Sequence, residues 1–301
     1  MPGIIECVPN VSEGRRLDVI EGLAKVIAAT PGVRLLDQTS DRDHNRSVFT
    51  FAGEADAVER AALALIDATY KVVDMRGHQG EHPRIGAVDV VPFVPLAGAT
   101  MADCIAIAHR VGESVAVRHQ VPVFYYARAA TRPERVRLPD IRRPEYEGLA
   151  AFLETTHVPD AGPRTLNPAA GAIVIGARPP LIAFNIELDT TDLKLAQRIA
   201  KEIRESSGGL PAVQAKGFML SDPPRAQVSL NLLDHTVTTL PQVWHEVETR
   251  AAAAGVRILR GELIGLIPLD AVLAAAGAGL RLDSFARDRV IEARFLERAN
   301  G

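Results

Sequence analysis

Leu181–Thr190, LIAFNIELDT, decides the fold, because it reads as a strand ending in an acid where the chain begins its pattern a second time. A helix over Asp192–Glu205 follows, then strands in VQAKGFML (213–220) and QVSLNLLD (227–234), a helix over Leu240–Ala254 and a strand in RILRGELIGLIP (257–268). The first half gives the same series. It runs strand IIECVPNVS (4–12), helix Arg15–Ala29, strands VRLLDQTSD (33–41) and SVFTFAG (47–53), helix Asp56–Val73, strand AVDVVPFVP (87–95). Both halves therefore read β-α-β-β-α-β, a split βαβ order that repeats as pattern rather than as words. The class expected is α/β (α+β): two similar subdomains, each a sheet with helices packed on it.

A further helix over Met101–Arg118 and a strand in VPVFYY (121–126) extend the first half. The stretch from about Arg132 to Arg178 differs in character, with prolines and glycines interrupted by one helix signal at Glu145–Leu153. Such composition reads as a linker. Its apolar end, GPRTLNPAAGAIVIGAR, reads instead as an ordered loop returning to a strand.

Composition excludes several classes. With 47% hydrophobic and 24% charged residues in 301, the chain is globular and long enough for two domains. No apolar run reaches bilayer length, and MPGIIECVPN lacks a basic then apolar leader, so neither membrane nor export is expected. Cys7 and Cys104 form no metal spacing or disulfide framework, which points to a reducing cytoplasm. A net charge of −3 gives no support to nucleic-acid binding.

Chemistry concentrates in DMRGHQGEHPRIGAVDVV (74–91). His78, His82, Arg76, Arg84 and Glu81 crowd among glycines and Pro83 just before an apolar run, the setting of a catalytic loop on a strand. HQGEH has the H-x-x-E-H spacing of inverted zinc proteases, but that site needs a helix, which Gly77, Gly80 and Pro83 oppose. Without a metal, a loop histidine flanked by Arg and Glu suits general acid/base work. Two other polar turns read as structural at least as readily: NVSEGRR (10–16), where Ser12 is a plausible N-cap beside an anion-attracting helix end, and DQTSDRDHNRS (37–47). SSGG (206–209) reads as a helix C-terminus.

Together IIECVPNVSEGR, DHNRSVFTFAG, GEHPRIGAVDVVPFVP, the PDAGP-to-GAR segment, LIAFNIEL, IRESSGG, QVSLNLLD and GLIPLDA resemble the glutamate formimidoyltransferase family across nearly the whole chain. The resemblance implies subdomains 1–178 and 179–301 with tetrahydrofolate, a co-substrate, in a channel between them, no metal, and a cytoplasmic homodimer serving histidine degradation and one-carbon metabolism. The animal members' fused cyclodeaminase is not expected here; a separate one would act downstream. His82, in the family's GEHPR motif, is implied to be catalytic. The folate-contacting loop matches Gly162, Pro163, Arg164, Thr165, Leu166, Asn167, Pro168, Ala169, Ala170 and Gly171. Animal members carry an aspartate two positions after Asp37, where this chain has Thr39; whether Asp37, Asp41 or Asp43 orients His82 stays open. Because both expected substrates are polyanions, Arg46, Arg84 and Arg178 are candidate carboxylate binders, with Asn10 and Asp41 as further substrate contacts. The expected reaction moves a formimino group from N-formimino-L-glutamate to N5 of tetrahydrofolate; formyl transfer from N-formylglutamate and a folate-binding protein without turnover are the alternatives.

Overall fold

The computed structural model describes residues 3–282 and 287–291. It divides into two compact units, Met1–Pro179 and Pro180–Gly301.

The first unit opens with β1 (Ile4–Cys7) and β2 (Asn10–Val11), then α1 (Leu17–Ala28), β3 (Val33–Asp41), β4 (Arg46–Glu54), α2 (Ala55–Val72), β5 (Val88–Pro95), α3 (Met101–His119), β6 (Val123–Ala127), α4 (Leu138–Arg142), α5 (Glu145–Thr155) and β7 (Ile173–Ala177). IIECVPNVS is thus two strands where the sequence predicts one. Pro9 has no N–H for the ladder, and the chain resumes pairing only at Asn10. β1 and β2 occupy one lane, so the seven-stranded sheet runs β3, β4, β1/β2, β5, β7, β6. Only β7 pairs in parallel, with β5 and β6.

The second unit follows with β8 (Ile182–Leu188), α6 (Leu193–Ile203), β9 (Val213–Ser221), β10 (Pro224–Leu232), α7 (Leu240–Ala253), β11 (Ile258–Ile264) and α8 (Leu269–Leu280). Its four-stranded sheet runs β11, β8, β10, β9. In both units the last strand of the repeat lies beside the first, then the third, then the second, so the topology is duplicated as the sequence pattern predicts.

The Arg132–Arg178 stretch is not a linker. It supplies α4, α5 and β7, and β7 lies inside the first sheet between β5 and β6. α4 and α8 escape the sequence reading. α4 is five residues with Pro139 in its first turn, and α8, LDAVLAAAGAGL, is apolar all round and so has no 3.6-residue stripe to detect.

Strand alternation sorts the first sheet into two faces. Ile5, Cys7, Phe49, Phe51, Val91, Phe93, Ile173 and Ile175 pack with Ile20, Leu23, Ile27, Leu65, Ile66, Ile107 and Val111 of α1–α3. On the other face, α4 and α5 cover Phe124, Tyr126, Val90 and Val174 with Ile141, Leu149 and Leu153. Polar residues of the same face are left beside that patch, among them Glu6, Asn10 and Arg46. Helix starts are fixed by side chains: Thr100 and Asp103 form a capping box on α3, Thr239 and Gln242 on α7, and Asp192 caps α6.

In the second unit Ile182, Ile186, Val228 and Leu230 pack with Ile199 and Val243. α6 lies so close to the sheet that a Cβ on Gly217 would stand 2.4 Å from the Gln197 nitrogen. Gly217→Ala is therefore expected to push α6 off β9 and lower stability by about 1–3 kcal/mol, read as a fall in the thermal midpoint.

Candidate active site

The segment joining α2 to β5 carries His82. After one 3₁₀ turn at Met75–Gly77 it has no helical turn, with bends at Glu81 and His82, so HQGEH does not form the helix that a two-histidine zinc site requires. Among the described residues no three His, Cys, Asp or Glu side chains group as a metal cluster.

The two histidines serve different ends. His78 Nδ1 accepts from Arg84 Nε at 3.1 Å, which leaves Nε2 to donate to the Asn45 carbonyl at 3.0 Å, so this ring is a neutral, fixed tautomer. Burial, the first cause, also pushes its pKa down. Arg84, 5% exposed, donates to Glu147 at 2.6 and 2.8 Å and to the His78 carbonyl at 3.2 Å. Its guanidinium is thereby engaged inside the protein and ties the loop to α5.

Further bonds hold the loop on three sides. Asn45 Nδ2 donates to Gln79 O at 2.9 Å, and the Glu81 amide donates to Asp43 O at 3.2 Å, both from the β3–β4 turn. Gly80 is needed there, since a Cβ would meet His44 O at 2.3 Å. Ser12 Oγ donates to Gly86 O at 2.7 Å. Ser12 is therefore not the cap of α1; Glu13 Oε1 accepts the Arg15 and Arg16 amides instead, each at 2.9 Å.

On the third side the loop meets Gly162–Gly171. Met75 N donates to Ala169 O and Ala87 N to Ala170 O, each at 2.8 Å, and Ala172 N to Ile85 O at 2.9 Å. Asn167 Oδ1 accepts the Ala169 and Ala170 amides at 3.1 Å, and Tyr146 donates to Pro168 O at 2.6 Å. Gly162 and Gly171 have φ of +82° and +74°, which a side chain would strain. Gly162, Arg164, Thr165 and Pro168 are exposed, Pro163, Leu166 and Ala169 half-buried.

A small pocket at the sheet end gathers Ser12, His44, Asn45, Arg46, His78, His82, Arg84 and Asp89. The His82 ring is partly buried and stands edge-on to His44, centroids 6.1 Å apart. His44 Nδ1 lies 2.8 Å from Asp41 Oδ2, an ion-pair distance without hydrogen-bond alignment. Asp41 also accepts the Asp43 and His44 amides. Its place is thus beside His44, and none of Asp37, Asp41 and Asp43 hydrogen-bonds to His82.

Asp89 and Arg142 are site residues that motif reading misses. β2 and β5 slip register between Asn10/Val90 and Val11/Val88, so Asp89 is the extra residue of a bulge, which re-aims its side chain. Its carboxylate, 2% exposed, accepts the Ile85 amide at 2.9 Å and pairs with Arg142. An acid inside the apolar run AVDVVPFVP was a signal for Asp89. Nothing local marks Arg142, whose place depends on α4 folding back onto the sheet.

Burial, Arg46, Arg142 and His44, in that order, push the His82 pKa down to about 2. The neutral imidazole is thereby favoured, in a pocket that holds Arg46 and, through Asp89, abuts Arg142. Asn10 and Arg178 lie on the same sheet face as Arg46 by alternation but outside this pocket, and Arg178 donates to Pro179 O at 3.0 Å. The Gly162–Gly171 loop buttresses the pocket from behind without lining it.

A partly buried imidazole set with an arginine at the sheet end of a duplicated split-βαβ scaffold marks a candidate active site, and comparison with known proteins defines its class. The formiminotransferase domain's N-terminal subdomain matches residues 4–178, and the formiminotransferase domain matches 183–285. The glutamate formimidoyltransferase of Streptococcus pyogenes serotype M1 is 41% identical over 286 residues, covering 95% of this chain and 96% of that protein. That of Thermoplasma acidophilum is 39% identical over 300 residues, 99% of each. The rat formimidoyltransferase-cyclodeaminase is 43% identical over 283 residues, 92% of this chain but 52% of that protein, so the chain spans about half of it. The chain belongs to the formiminotransferase family and is a transferase.

The neutral His82 has a consequence for stability. Its folded pKa lies below the unfolded value of 6.5, so above about pH 6.5 both states are neutral, and on acidification the unfolded chain takes up the proton first. Stability should fall as pH drops through that value. His82→Gln should remove up to about 2 kcal/mol of the loss between about pH 7 and pH 5, read from urea unfolding at both pH values.

Proposed function

We propose that this transferase moves the formimino group of N-formimino-L-glutamate to N5 of tetrahydrofolate, releasing L-glutamate and 5-formiminotetrahydrofolate, with His82 as proton carrier. The observation that carries the proposal is the partly buried His82 ring set in one pocket with Arg46, His44 and other hydrogen-bonding groups, where burial and the nearby cations favour its neutral form. In the transfer a bond forms between N5 and the amidine carbon, and the bond from that carbon to the glutamate nitrogen breaks. N5 loses a proton as it attacks, and the glutamate nitrogen gains one as it leaves. His82 is deprotonated and so ready to take the first, and the resulting imidazolium, unfavourable beside two arginines, readily gives it up to the second. Holding both reactants in one geometry supplies the remaining acceleration.

The Gly162–Gly171 loop is proposed to contact the folate through its exposed part, Gly162–Thr165, while Asn167 and Gly171 fix its far end beside the His82 loop. Asn10, Arg46 and Arg178, on one sheet face, are proposed to meet the carboxylates. Arg84 serves by holding His78, and Asp41 by holding His44.

The test supplies tetrahydrofolate with formiminoglutamate or with formylglutamate and follows the folate product. Formimino transfer should dominate. His82→Ala should lower kcat by about two to four orders of magnitude with folate affinity little changed, whereas His78→Ala should cost far less in kcat. A reversed order of the two histidines removes His82 from its role, and product from formylglutamate alone changes the donor.

A further inference from the structure

We propose that Arg142 and Arg46 together form the carboxylate receptor of the His82 pocket, a pair of guanidiniums that grips one carboxylate of the donor beside the reacting carbon. The inference rests on formiminoglutamate being the donor and adds to it a residue from α4.

Arg142 is only partly engaged. One terminal nitrogen pairs with Asp89, while its Nε is buried with no hydrogen-bond partner. A buried, unsatisfied guanidinium donor is costly unless something accepts from it, and an anion does so best. Arg46 shows the same need. Half-buried at the pocket wall, its guanidinium makes no hydrogen bond and no ion pair among the described residues. The two cations also act on one another: after burial, Arg142 is the main influence lowering the Arg46 pKa, with Asp89 and Asp41 opposing it.

Arg46 and Asp89 line the pocket with His82, and Arg142 is held at its edge through Asp89, so two guanidiniums stand against one buried carboxylate at this end of the sheet. The bulge at Asp89 makes this possible. It turns a carboxylate out of the sheet's alternation, and that carboxylate holds Arg142 at one nitrogen and leaves another free. A carboxylate seated on the pair also relieves the repulsion that both arginines exert on a protonated His82, so the donor itself would make the imidazole a stronger base. Guanidiniums suit this task because their planar fork matches a carboxylate in two bonds.

The probe is glutarate, a dicarboxylate with nothing to transfer, titrated calorimetrically into the full chain and its variants. Wild-type protein should bind glutarate and ignore neutral glutaramide. Arg142→Gln should weaken glutarate at least about tenfold, the loss expected for a charge-assisted bond, and raise the KM for formiminoglutamate while the KM for tetrahydrofolate stays within about twofold. Because Arg142→Gln leaves Asp89 buried and unpaired, the double variant Asp89→Asn/Arg142→Gln serves as its check and should show the same loss. Asp89→Asn alone removes the ion pair but keeps the cation, and should bind glutarate no more weakly than wild type. Equal glutarate binding in wild type and Arg142→Gln, no binding in wild type, or a loss in Asp89→Asn as large as in Arg142→Gln would each overturn the receptor and leave Arg142 a structural cation. Arg142-dependent glutarate binding in a protein that transfers nothing from formiminoglutamate would instead uphold the receptor and refute the reaction.

Discussion

Arg84 is the interaction on which the site depends. It is a buried cation two positions after His82, and a buried cation must be surrounded by acceptors. It finds them in Glu147 of α5 and in both the ring and the carbonyl of His78. These contacts close the segment between His78 and Arg84 into a loop pinned at its base, and His82 is carried at its tip. The same contacts force His78 into one neutral tautomer, which in turn bonds the Asn45 carbonyl and brings the β3–β4 turn alongside. Rigid placement of one imidazole therefore follows from satisfying one arginine.

The electrostatics follow from that placement. A loop held against the end of the sheet sets His82 in one pocket with Arg46 of β4, and burial first, then the charges of Arg46 and Arg142, push its pKa down. A solvated histidine near its ordinary pKa would be part-protonated at neutral pH, whereas this ring's surroundings favour the neutral form.

What the sequence discloses, and what it hides, divides along physical lines. Strong periodicity and strand composition make β3, β5, α2 and α3 legible to within a residue or two, and the repeat of pattern discloses the duplicated topology. Pro9 breaks a strand that composition alone would continue. α8 hides because an apolar helix without a polar face has no period, and α4 because five residues are too few to show one. At the site, His82 and the loop before β5 are visible as a crowd of titratable groups and as a motif. Ser12 reads as a cap and is in fact a tether to Gly86, since cap and tether use the same hydroxyl. Arg84 reads as a substrate binder because sequence shows its charge but not its partners. Arg142 has no local mark at all; it reaches Asp89 only once α4 packs back onto the sheet.

The most direct measurement of this account is the protonation state of His82 itself. Nitrogen NMR of the histidine rings, titrated from about pH 8 to about pH 4 with His82 assigned by its loss in His82→Gln, reads it without reference to activity. The His82 ring should stay neutral below about pH 5 in the free protein. A ring that titrates near its ordinary pKa, about 6.5, would contradict this, since His82 would then be a solvated histidine and not one kept neutral by burial and by the charges of Arg46 and Arg142.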